Sequence, residues 1–80
     1  MEIKILGPGC PRCEKVERRT INALSELNVS ADVQKIKDIK KISGYKVFIT
    51  PGLVINGKIK ASGRIPSKEE IKEWIQEEKN

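Results

Sequence analysis

Ile3-Lys4-Ile5-Leu6-Gly7-Pro8-Gly9-Cys10-Pro11-Arg12-Cys13 is the stretch on which the reading of this chain turns. Cys10 and Cys13 are the only two cysteines, and two residues separate them. They come after a short apolar run and a Gly-Pro-Gly loop, and they open a segment with helical periodicity. A thiol pair where a strand meets a helix N-terminus is placed for dithiol–disulfide chemistry. Backbone N–H groups and the positive end of the helix dipole favour thiolate over thiol there. The same pair in mid-helix or mid-strand would say much less.

Eighty residues suit a single domain, residues 1–80, with no room for a second core. Hydrophobic residues make up 38% and charged residues 34%, and the apolar ones fall in short periodic blocks, which marks a folded chain. No apolar run approaches the ~20 residues of a membrane span, so no membrane association is expected. The first residues lack an apolar signal-like region, and a cytoplasmic location is expected. In that reducing compartment two cysteines suggest a working pair more than a staple. The net charge is +5, but Lys and Glu are interspersed and only one Trp, one Tyr and one Phe are present. A solvated Lys/Glu surface explains this better than a nucleic-acid face.

Outward from the motif, Glu2–Leu6 reads as a first strand and about Pro11 to Leu27 as a helix. Pro11 suits the first helical position, where its missing N–H costs nothing. Val16, Thr20, Ala23, Leu24 and Leu27 form one buried stripe, and Asn28 is a plausible stop. Residues 30–36 read as a second, polar and therefore edge strand. A short helix spans about Lys37 to Ser43, with Ile39 and Ile42 facing inward and Gly44 ending it. Residues 45–49 either extend it or form an irregular connector. Leu53-Val54-Ile55 is the run of a central strand covered on both faces. Asn56-Gly57 is a hairpin turn, Lys58 to Ser62 the return strand, and Ser67-Lys68-Glu69-Glu70 a capping box. The last helix turns Ile71, Trp74 and Ile75 inward. The order is β-α-β-α-β-β-α, an α/β fold with one four-stranded mixed sheet and helices on both faces.

Three features together resemble the thioredoxin superfamily in its minimal, glutaredoxin-like form. They are Cys10-Pro11-Arg12-Cys13 after the first strand, Thr50-Pro51 before the third, and the Asn56-Gly57 hairpin with a terminal helix after it. The resemblance covers nearly all of the chain and is nearest to the small archaeal and bacterial redox-active disulfide proteins. It implies a thiol–disulfide oxidoreductase that reduces protein disulfides. Cys10 would be the exposed nucleophile, with a pKa brought from about 8.5 to ~3.5–7.5. Arg12 and Lys15 would add positive charge that pushes the same way. Cys13 would resolve the mixed disulfide. The matching proline in the superfamily is cis, so Pro51 would pack beside the thiols and Thr50 would offer its backbone to an extended substrate. Pro8, Pro11, Ile49 and Pro51 would form a small apolar contact surface. The partners implied are disulfide-containing proteins and a reductase donor, the protein a monomer, and no cofactor is needed.

The chain also departs from the family's patterns. Gly9 stands where thioredoxins carry a Trp, and the first strand carries no inward acid. The glutathione-gripping Gly-Gly-x-Asp element of glutaredoxins has Ser62-Gly63-Arg64-Ile65 in its place, with no Asp. A bland alternative is a passive disulfide, but a bridge closing so short a loop adds little stability. The alternative from another class is a soft-metal module or metallochaperone, since two thiolates can hold a copper, mercury or arsenite ion. The terminal helix after a hairpin and Thr50-Pro51 favour redox chemistry. With two cysteines and no His, the chain lacks the roughly four ligands of a structural zinc site.

Overall fold

The computed structural model describes residues 1–9, 11–45 and 49–79. It contains β1 (Glu2–Leu6), α1 (Pro11–Leu27), β2 (Asp32–Ile36), α2 (Ile39–Gly44), β3 (Gly52–Ile55), β4 (Lys58–Ser62) and α3 (Lys68–Lys79). The four strands form one sheet in the order β2-β1-β3-β4. β1 pairs in parallel with β2 and antiparallel with β3, and β3 pairs antiparallel with β4. The two apolar strands are thus central and the two polar ones lie at the edges, because an edge strand keeps one flank wet.

Strand side chains alternate between the two faces. On one face Ile3, Ile5, Leu53 and Ile55 meet Val16, Ala23 and Leu24 of α1 and Ile71 and Ile75 of α3. Burying each of these large side chains stabilises the fold by about 1.5–3 kcal/mol. On the other face Leu6 and Val54 meet Ile42 of α2, with Ile36 and Tyr45 packed beside them. Thr20 is the one polar residue fully inside the main core among the described residues, and its hydroxyl donates to the Val16 carbonyl at 2.7 Å. A buried hydroxyl is tolerated because that bond satisfies it.

The stops are local. Asn28 adopts φ 55°, and the next N–H, that of Val29, reaches back to the Leu24 carbonyl at 3.0 Å, which closes α1. Asn56 and Gly57 both have positive φ, 51° and 81°, as the tight hairpin requires. A register shift at Leu53/Val54 interrupts the β3–β4 ladder, an irregularity the hairpin signal did not announce.

The reading of α2 is corrected. Ile39 is 71% exposed, while Ile42 is buried as expected. The carboxylate of Asp38 accepts from the Lys40 N–H at 2.9 Å and caps the helix, so α2 starts at Ile39. Its six residues bring only the turn carrying Ile42 onto the sheet. The open choice for residues 45–49 falls mostly on 46–48, outside the described residues. Trp74 packs on the main core with part of its surface open, and the Arg64 guanidinium lies 5.7 Å from its ring centroid.

The Lys/Glu surface is paired across elements. Glu26 of α1 takes Lys72 of α3 at 3.2 Å and also Lys68, and Lys58 and Lys60 of β4 reach Glu78 at 3.3 and 3.1 Å. Among the described residues no helix is long and apolar enough to cross a membrane.

The capping box is present in reciprocal form. Glu70 N–H donates to Ser67 Oγ, and Ser67 N–H donates to Glu70 Oε1, both at 3.2 Å. The same carboxylate takes a bidentate pair of bonds from Arg64, at 3.2 and 2.8 Å. Arg64 first, and the Ser67 N–H second, lower the Glu70 pKa from the usual 4.5 to about 2. A carboxyl held low in the folded state contributes stability above its ordinary pKa and loses it as pH falls through the folded value. Glu70→Gln is therefore expected to be less stable than wild type above about pH 5, with the gap closing towards pH 2. Urea midpoints across that range check this, and a gap independent of pH would contradict it.

Candidate active site at the strand ends

The sheet topology brings four chain segments to one end of the sheet. β1 ends at Leu6, whose partners are Ile36 at the end of parallel β2 and Gly52 at the start of antiparallel β3. Gly52 in turn pairs with Ser62 at the end of β4. The loop of residues 7–9 therefore lies between the chain leaving β2 and the chain entering β3. It is pinned by a hydrogen bond from the Gly7 N–H to the Ile36 carbonyl at 2.9 Å.

Cys13 lies in the first turn of α1 and is 5% exposed. Its side chain packs directly on Gly7. A Cβ added at Gly7 would collide with the Cys13 Sγ, and it would stand 3.2 Å from the Cys13 Cβ and 3.8 Å from the Thr50 Cβ. Cys13 and Thr50, far apart in the chain, thus converge on the α-carbon of Gly7. Only glycine leaves room for the sulfur there.

The Thr50–Pro51 peptide bond is cis. Thr50 is half-buried, whereas Pro51 is fully enclosed, so its ring is not part of an exposed contact surface, contrary to expectation. The Pro51 carbonyl accepts from the Gly63 N–H at 3.0 Å. Gly63 has φ +75°, and a Cβ on it would stand 2.9 Å from Ile49 Cγ2. Ile49 itself is 66% exposed, as Pro8 and Pro11 are also exposed. Arg12 and Lys15 are exposed on α1. Cys10 lies outside the described residues.

Three features were not foreseen. Gly7 is a packing glycine, signalled only by its place directly after a strand. Arg64 is committed to Glu70 and Trp74, and is not available as a loose surface cation. Lys37 stands beside Gly9, its Cε and Nζ 3.8 and 3.9 Å from where a Gly9 Cβ would be. Its signal was topological: the residue after a strand parallel to β1 comes out beside the loop after β1.

The comparisons agree with this arrangement. The family model described as a thioredoxin domain matches residues 1–76. The chain belongs to the thioredoxin family. A thioredoxin of Methanothermobacter thermautotrophicus is 40% identical over 75 residues, covering 94% of this chain and 97% of that protein. A thioredoxin of Methanocaldococcus jannaschii is 41% identical over 73 residues, covering 91% of this chain and 84% of that one. This membership supports thiol–disulfide oxidoreduction as the general activity. The soft-metal alternative gains nothing from these relatives, and among the described residues no three His, Cys, Asp or Glu side chains cluster to hold a metal ion.

The Gly7–Cys13 contact sets a test for a thioredoxin site built this way. Gly7→Ala forces either the Cys13 side chain or the loop to move. Overpacking of this kind costs about 1–3 kcal/mol. A urea denaturation midpoint lowered accordingly is the expected result. A midpoint equal to wild type would show that the contact yields freely.

Proposed function

We propose that the chain, acting as one domain over residues 1–80, is a protein-disulfide reductase that works through Cys10 and Cys13. The observation that carries this reading is the buried Cys13 in the first helical turn, packed on Gly7 with Thr50 alongside. Such shielding suits a resolving thiol, which acts only after a partner is already bound. Cys10, three residues earlier and next to an exposed Pro8-Gly9 loop, is the nucleophile.

The steps balance as a two-electron exchange. Cys10 thiolate attacks one sulfur of a substrate disulfide. The S–S bond breaks, and the departing thiolate takes a proton. Cys13, having given up its own proton, attacks the Cys10 sulfur of the mixed disulfide and releases the second substrate thiol. The substrate gains two electrons and two protons, and Cys10–Cys13 is left oxidised. A reductase donor, or dithiothreitol in a tube, restores the dithiol. Arg12 and Lys15 supply positive charge on the first turns of the helix, favouring thiolate.

Thr50, ahead of β3, offers backbone groups to an extended substrate segment, and Pro51 seats it. Exposed Ile49, Pro8 and Pro11 give the segment apolar contact. Such recognition is broad in sequence. A cytoplasmic monomer that meets several disulfide proteins fits this reading, and the chemistry needs no cofactor.

Insulin reduction with dithiothreitol as donor tests it. Wild type is expected to accelerate precipitation, and Cys10→Ser and Cys13→Ser each to abolish the acceleration. Equal rates for all three proteins would remove the proposal. The two roles are separable by mass-mapped iodoacetamide labelling of the reduced protein. Cys10 is expected to alkylate first and Cys13 to lag; the reverse order would exchange their assignments.

A further inference from the structure

We propose that Lys37 is a specificity residue that favours disulfides carrying a carboxylate near the scissile sulfurs. This rests on the Cys10–Cys13 reading above and adds a substrate charge class to it.

The first observation is position. Lys37 comes directly after β2, and the Gly7–Ile36 hydrogen bond of 2.9 Å ties the end of that strand to the loop ahead of Cys10. The ammonium comes to rest 3.9 Å from where a Gly9 Cβ would stand. Gly9 is covalently bonded to Cys10, and successive α-carbons are about 3.8 Å apart. A substrate whose sulfur is attacked by Cys10 therefore brings its neighbouring groups within range of this cation.

The second observation is that the charge is uncommitted. Lys37 makes no hydrogen bond or ion pair with any other described residue. Of the acids near it in sequence or on α1, Asp38 and Glu17 are engaged elsewhere, and none is paired with Lys37. Asp38 turns its carboxylate to the Lys40 N–H at 2.9 Å, capping α2. Glu17 lies 3.4 Å from Lys35. Glu14 lines a groove with Lys35, Glu17 and Arg18. Most other lysines that reach a neighbour are paired, as Lys58, Lys60, Lys68 and Lys72 show. An unpaired cation beside a loop of Gly7, Pro8 and Gly9, which has no charged side chain of its own, gives the attack position a positive bias.

One unit charge about 7 Å from a carboxylate in water changes a rate constant about threefold. The test uses the reduced protein in single-turnover reactions with two aliphatic disulfides, the dianion 3,3′-dithiodipropionate and neutral 2-hydroxyethyl disulfide. The readout is the ratio of the two rates, so intrinsic reactivity and any general effect on the thiol cancel. Lys37→Gln is expected to lower the ratio about threefold at low salt, Lys37→Glu further, and Lys37→Arg to preserve it. At 1 M salt, where charges are screened within about 3 Å, wild type and Lys37→Gln should converge. Ratios unchanged by Lys37→Gln and Lys37→Glu, with both disulfides still reduced, would overturn the proposal and leave the dithiol reading intact. A wild type that reduces neither disulfide would bring down the dithiol reading and this proposal together.

Discussion

The fold hangs on one five-residue strand that is bonded on both flanks. β1 pairs with β2 in parallel and with β3 antiparallel, so Ile3 and Ile5 are sealed beneath α1 and α3 while Leu6 is sealed on the opposite face. In a domain this small the core has little area to spare. The double pairing also fixes the site, because the chain leaving Leu6 must emerge between the end of β2 and the start of β3. Thr50 comes to Gly7, and Lys37 to Gly9, for that reason. The mixed direction of the sheet is what places a strand end, a post-strand residue and a pre-strand proline at one rim.

Much of this was written in local patterns. Alternation at Ile3 and Ile5, the continuous run Leu53-Val54-Ile55, the Asn56-Gly57 turn and the Ser67–Glu70 box each encode their structure within a few residues. Asn28 could be read as a stop because few other residues accept a left-handed φ so readily. The element order implied one mixed sheet, whereas the strand order β2-β1-β3-β4 became visible only in the structure. What stayed hidden needed two segments at once. Ile39 looks like a core residue by composition, yet the Asp38 cap decides where α2 begins and so leaves that side chain in water. The steric role of Gly7 exists only once Cys13 has been folded back on it. Lys37 had no motif at all, only a register.

Charge in this protein works in two ways. Along the helices and β4, lysines are matched to glutamates across elements, as at Glu26 and Glu78, and such exposed pairs contribute little each. At the strand-end rim Arg12, Lys15 and Lys37 are exposed, together with Glu14 in the first turn of α1 and Asp38, whose carboxylate caps α2. Beside the loop itself, Lys37 is the cation that a passing anion would meet.

Arg64 illustrates how a change of ligand range would be constrained. It sits in the loop where a cation could in principle greet a small acidic molecule, yet its guanidinium is held by Glu70 and lies over Trp74. Glu70 Oε1 is also the acceptor for the Ser67 N–H that closes the start of α3. Any visitor that drew Arg64 away would leave that carboxylate to cap the helix alone. The reciprocal Ser67–Glu70 bonds would still hold the start of α3, so a ligand recruiting this arginine would have to compete with a bidentate carboxylate and not with the helix itself.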